Sequence, residues 1–235
     1  MVLSIILINT ALYLTSNLII YFFKYDMGGE GWRGNYTLFS SLGGAFQIVG
    51  MMLVYPLLRK KKTNTAIFKI SLFAAMVGYV LILALCLAGQ SGNLILICLP
   101  GIIVFLANGI LSVLTTVFLS NSVDYGELKN GRREESVIFS MQTFVVKAAS
   151  GFAVFAAGLG TDLIGLKGNV ETDEIDYVAS DQTLVLLRLL MTILPMVLLV
   201  VAYFVFRKKF LLSDQIVVEN AEKLKAIHDS EASGD

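Results

Sequence analysis

The chain has 235 residues, of which 56% are hydrophobic and 15% charged, with 18 Asp and Glu balanced by 18 Lys and Arg. A soluble domain carries roughly 45–50% apolar and about 25% charged residues, so this composition excludes an ordinary water-soluble globular protein. The apolar residues fall in blocks of about 20, the length that crosses about 30 Å of hydrocarbon at 1.5 Å per residue, and the chain reads as an integral membrane protein.

Six membrane helices are predicted: Val2–Phe23, Tyr36–Leu58, Ala66–Leu87, Leu94–Leu119, Val137–Gly160 and Leu184–Phe206. Backbone groups in lipid must be satisfied within the segment or a closed barrel, and no alternating ten-residue strands are present. The fold class is therefore an all-α membrane protein, a six-helix bundle. Residues 1–210 form the membrane domain and 211–235 a cytosolic tail. The N-terminus lacks a positive region ahead of its long apolar run, so no signal peptide is expected.

The first helix carries Asn9, Tyr13, Asn17 and Tyr21 on one side, then Lys24. These either face a solute or join neighbouring helices. Gln47 in the second helix and Asn108, Ser112 and Thr115 in the fourth are further polar positions within apolar segments. Cys86 and Cys98 read as small buried residues rather than a disulfide or metal pair. The lone His228 lies in the tail, so no histidine-based catalytic or metal cluster is expected in the membrane.

Asn121–Lys147 is the most informative stretch. Its first half reads as a charged turn holding Asp124, Glu127, Lys129, Arg132, Arg133, Glu134 and Glu135. This is either a solvated loop or a set of ion pairs that gates the cytoplasmic side. Its second half enters the fifth helix, where Ser136, Ser140, Thr143, Lys147, Ser150 and Gly151 recur at steps of three and four and so share one side. A lysine near the middle of a membrane helix costs roughly 2.5–3.5 kcal/mol on insertion scales and is a functional-site hypothesis by default. The stripe either lines a wet cavity, with Gln142 beside it, or Lys147 ties two helices together. Ala149, Ala153 and Ala157 on the flank suit close helix packing.

Arg188 sits one turn inside the outer end of the sixth helix, where snorkelling to the interface accounts for it. Pro195 removes a backbone donor and can kink that helix. In the tail, Ser213 or Asp214 can cap a short helix whose Ile216, Val217, Ala221, Leu224 and Ile227 fall near one face. The basic runs Arg59–Lys62, Lys129–Arg133 and Arg207–Lys209 alternate with a loop at Thr161–Gln182 that is rich in acid. Positive loops stay cytoplasmic, which places both termini in the cytoplasm of a cell-membrane, multi-pass protein.

The run VDYGELKNGRREES followed by VIFSMQTFVVK resembles the tenth-to-eleventh helix region of the glycoside–pentoside–hexuronide:cation symporters of the major facilitator superfamily, most closely the melibiose permease branch. SNLIIYFFKYDMG resembles that family's seventh helix, and the likeness covers about residues 1–210. The resemblance implies one half of a major-facilitator fold, the C-terminal half. It implies secondary active transport of a sugar or glycoside coupled to Na⁺ or H⁺, with no enzyme activity, no cofactor and no resident metal. Gln142, Thr143, Val146 and Lys147 match positions that border the sugar in relatives. Arg133 matches a cytoplasmic gate arginine, whose usual Asp partner is replaced here by Asn121, so that Asp124 or Glu127 is the expected substitute. A tenth-helix Trp of the melibiose branch falls on Ser112, which leaves the sugar open. The coupling-cation acids belong to the family's N-terminal half. The implied partners are therefore sugar, lipid and an N-terminal half or a second copy, with no nucleic acid. The competing expectation is a truncated, non-transporting membrane subunit with a structural or regulatory role.

Overall fold

The computed structural model describes residues 2–131, 135–166 and 178–209, with Ile216, Val217, Glu219, Asn220, Glu222 and Lys223 of the tail. Its helices are α1 (Val2–Tyr21), α2 (Trp32–Val49), α3 (Tyr55–Arg59), α4 (Asn64–Leu87), α5 (Leu94–Asn130), α6 (Glu135–Leu163) and α7 (Asp181–Lys209). A π-helical turn, Phe22–Met27, prolongs α1, and a second, Gly50–Val54, joins α2 to α3. These make six helices long and apolar enough to cross a membrane. The predicted segments are all present, with ends that agree within a few residues except at the C-terminal end of the fourth, where the helix runs on from Leu119 to Asn130.

The helix ends have local causes. Thr63 Oγ1 accepts from Ala66 N at 3.3 Å and starts α4, and Asn93 Oδ1 accepts from Leu96 N at 3.3 Å and starts α5. Both satisfy an amide that the helix itself leaves unpaired. At the other end of α5, Gly131 takes the left-handed conformation (φ 65°) and its amide closes on Glu127 O, a stop that glycine adopts without a Cβ penalty.

The stretch read as a charged turn is largely helix. Residues 121–130 continue α5 beyond its apolar part, because Glu and Lys are good helix formers once the chain has left lipid. Among the described residues of this stretch, Gly131 alone lies outside helix. Arg133 and the rest of 132–134 lie outside the described residues, as does most of the predicted tail helix.

The bundle is organised around α1, which packs against both α6 and α7, while α4 packs on α5 and α7 and α2 packs on α5. Its buried face, Ile8, Ala11, Leu14 and Leu18, joins Phe68, Leu72, Tyr79 and Phe118 in one core. Phe68, Phe118 and Phe206 close that core as a three-ring cluster, with centroids 4.3–5.7 Å apart. The alanine flank of α6 is buried as the small-residue pattern predicts: Ala149, Ala153 and Ala157 lie on the inner side with Val145.

Glycine sets the α2–α5 crossing. A Cβ on Gly109 would stand 2.1 Å from Gln47 O, and one on Gly50 2.5 Å from Leu106 O. The two helices therefore meet backbone to backbone, a contact that membrane helices make through small residues. Around it, Gly43 and Gly101 make room for the rings of Phe105 and Phe39, which stack edge to face at 5.5 Å.

Candidate functional site

Two polar regions stand out on this scaffold. The first is the α6 stripe. Ser136, Ser140, Thr143, Lys147 and Gly151 are all exposed, and Ser150 is partly so. The exposed surface of α6 has a second face of different chemistry, made of Phe144, Phe152, Phe155 and Leu159. Ser140 and Thr143 donate to their own helix, to Ser136 O (2.7 Å) and Phe139 O (3.1 Å). Among the described residues Lys147 has no hydrogen-bond or ion-pair partner. The reading in which Lys147 ties two helices together thus finds no partner there. Val146 is partly buried beside it.

Gln142 links α6 to α5. Its Nε2 donates to Thr116 Oγ1 at 3.3 Å. Thr116 donates in turn to Ser112 O at 3.4 Å, and Ser112 Oγ to Asn108 O at 2.9 Å. A ladder of hydroxyls thus runs along α5 from Gln142 to Asn108, about 12 Å at 1.5 Å per residue. Hydroxyls that back-bond to carbonyls one turn earlier keep their lone pairs available as acceptors.

At the top of this ladder is a cavity of about 260 Å³ between α1, α2, α4, α5 and α7. Its polar groups include Thr15, Ser40, Gln47, Tyr79 and Asn108, and Phe39 and Phe105 form an aromatic wall. Thr15 and Tyr79 share a hydrogen bond of 2.8 Å. Asn108 is 8% exposed and its Oδ1 is buried without a partner. Gln142, Thr143, Val146 and Lys147 do not line this cavity.

The polar residues of the first helix divide. Asn9 and Asn17 donate to Ile5 O (2.9 Å) and Tyr13 O (2.7 Å) within α1 itself. Lys24, which follows the polar side of the first helix, is fully buried in the π-turn, its Nζ 5.4 Å from the Tyr25 ring centre and 5.6 Å from that of Trp32. Asp124 and Glu127 lie one turn apart on the charged end of α5, both partly buried.

Sequence reasoning missed the function of Arg188. It does not snorkel. Its Nε and Nη2 grip the Asp26 carboxylate at 2.7 and 2.6 Å, and Nη2 also reaches Ser91 Oγ at 3.3 Å. The pair is inside the protein, with side-chain exposures of 15% for Arg188 and 1% for Asp26. A carboxylate within reach takes the guanidinium away from the interface because a two-pronged pair is the stronger interaction. The available signal was that Asp26 and Arg188, of opposite charge, each stand near the same end of an apolar segment.

A bundle of six membrane-length helices, with a lipid-suited ring face and a separate polar stripe on one of them, defines a multi-pass membrane protein. The chain belongs to the MFS/sugar transport protein family, whose pattern it matches over residues 1–211. It is similar to an uncharacterized symporter, YjmB, of Bacillus subtilis, with 26% identity across 97% of this chain and 46% of that protein. It also resembles an isoprimeverose transporter of Lactiplantibacillus pentosus (32% identity, 64% of this chain, 28% of that protein) and a lactose permease of Leuconostoc lactis (26% identity, 74% of this chain, 25% of that protein). The chain thus spans less than half the length of these relatives. No solved structure matches it.

Proposed function

We propose that this chain forms the C-terminal half of a cation-coupled sugar or glycoside carrier. The observation that carries the reading is the two-faced exposure of α6. The Phe144–Phe152–Phe155 face suits lipid. The Ser140–Thr143–Lys147 stripe would be costly there and suits a wet central cavity closed by another six helices. In such folds the solute binds near the midplane between two repeats, and access alternates as one rocks against the other. Gln142, Thr143 and Lys147 donate hydrogen bonds to the solute's oxygens, with Val146 packing beside it. The relatives' names, an isoprimeverose transporter and a lactose permease, support a sugar as that solute. The coupling Na⁺ or H⁺ binds mainly in the other half. Asp124 and Glu127, on the charged end of α5, act with Arg133 as the cytoplasmic gate. Both termini are cytoplasmic, by the excess of Lys and Arg after the second, fourth and sixth spans.

The partner is an N-terminal six-helix half or a second copy. The test is co-expression of this chain with a family N-terminal half in a sugar-uptake-deficient host, measuring sugar-driven cation entry. Entry that requires both chains supports the reading. Co-assembled chains that move neither sugar nor cation would sink it.

A further inference from the structure

We propose that the cavity between α1, α2, α4, α5 and α7 is a second solute site, which holds one uncharged sugar ring of the transported molecule. The inference rests on the carrier reading above but places ligand contacts on helices that reading does not use.

The lining has the chemistry of a neutral ring site. Among the described residues no charged side chain borders it, so an ionised solute would be desolvated there without compensation. Phe39 and Phe105, in edge-to-face contact, form an aromatic wall of the kind on which the C–H side of a sugar packs. Facing walls carry polar groups with nothing to bond. Ser40 and Gln47 stand on one side of α2 at helical spacing, with no side-chain partner among the described residues. Asn108 Oδ1 is buried and unpaired opposite them. Leaving such an acceptor unmade costs about 1–3 kcal/mol, a penalty that a ligand hydroxyl donating to it removes. A pocket that is mostly apolar with a few convergent polar groups is the usual form of a small-molecule site.

Size limits the occupant. The cavity of about 260 Å³ falls just below the range of about 300–1,000 Å³ typical of drug-sized ligands, a size that suits one ring. Between Ser40 and Gln47, at the cavity wall, stands Gly44. A Cβ built there meets no atom within 4 Å, so a larger side chain at this position grows into the cavity without colliding with the protein.

That makes Gly44 the test. In the co-expressed carrier, Gly44→Leu is expected to lose uptake of labelled galactose or xylose. Gly34→Leu, equally open but outside the cavity, keeps it. Asn108→Leu, which removes the unpaired oxygen, also loses uptake while the chain becomes no less stable to heat in detergent. Undiminished uptake by Gly44→Leu overturns the inference and leaves the carrier reading standing. A second measurement does not depend on transport. With Cys86 and Cys98 replaced by alanine, Gly44→Cys is labelled with a membrane-permeant maleimide with and without galactose or xylose. Slower labelling with sugar supports the site even where uptake fails; labelling at the same rate at saturating sugar overturns it.

Discussion

Arg188 and Asp26 lie 162 residues apart in the chain and meet through two parallel hydrogen bonds of 2.6 and 2.7 Å. They join the π-turn after α1 to α7 at one end of the bundle. Ser91, from the loop between α4 and α5, completes the group. Removing either ion strands the other in a largely buried site. Asp26→Ala or Arg188→Ala should therefore lower stability by about 3–5 kcal/mol, read as a drop in unfolding temperature of the purified chain in detergent. The double replacement Asp26→Leu with Arg188→Met should recover much of that loss, since apolar groups of similar size remove both charges together. Arg188→Lys should fall between, because an ammonium cannot grip both carboxylate oxygens in the fork geometry.

The α2–α5 crossing gives a second prediction. Gly109→Val puts side-chain atoms where Gln47 O stands, 2.1 Å from the position of the first added carbon. The clash is with backbone, which cannot rotate aside. Overpacking of this kind costs about 1–3 kcal/mol or more. Gly44→Ala, three residues before Gln47 and facing open space, should leave stability unchanged. Comparing the two by heat denaturation separates a crossing held by glycine from a helix that merely tolerates it.

Tyr79 is fully buried and its hydroxyl meets Thr15 Oγ1 at 2.8 Å. Thr15 also donates to Ala11 O at 3.1 Å, so it keeps a partner when Tyr79 is truncated to the ring. Tyr79→Phe should then cost only about 0.6 kcal/mol, the average for a hydrogen bond between membrane helices. Tyr79→Ala removes the ring from the core and should cost about 3–5 kcal/mol. Equal losses for the two variants would show that the hydroxyl, not the ring, holds α1 to α4.

What the sequence conveys here follows from the range of the forces involved. The six spans are legible because lipid imposes length and polarity on each segment separately. The alanine flank and the polar stripe of α6 are legible because helical spacing is local: Ala149, Ala153 and Ala157 are buried and Ser140, Thr143 and Lys147 exposed, as their steps of three and four require. The Asp26–Arg188 pair was not legible, because a partner so distant in the chain leaves no periodic trace, and snorkelling explained Arg188 without one. The burial of Lys24 was not legible for a related reason: the π-turn continues the helix and sets the ammonium over the Trp32 ring, a contact with no trace in the local sequence. The end of α5 was read as a turn because charge density marks departure from lipid, not from helix. Of the cavity's polar groups, Gln47 and Asn108 were legible as polar positions within apolar segments, whereas Thr15 and Tyr79 are not distinctive within theirs, and that the four share one cavity leaves no local trace.

Lys147 and Arg188 are both cations within membrane-length helices, and their surroundings predict opposite outcomes on removal. Arg188 is held by a carboxylate, and its loss should destabilise the chain. Lys147 is exposed on α6 and has no partner among the described residues, so nothing in this chain is left unpaired when it goes. Lys147→Leu also removes a group that costs roughly 2.5–3.5 kcal/mol to place in hydrocarbon. The variant should therefore insert and resist heat at least as well as the parent, while sugar-driven cation entry in the co-expressed carrier falls. Lys147→Arg keeps the charge and should retain part of the uptake. A Lys147→Leu chain that is less stable than the parent would mean that its ammonium supports the fold. One that is stable and transports at the parent's rate would remove Lys147 from the mechanism.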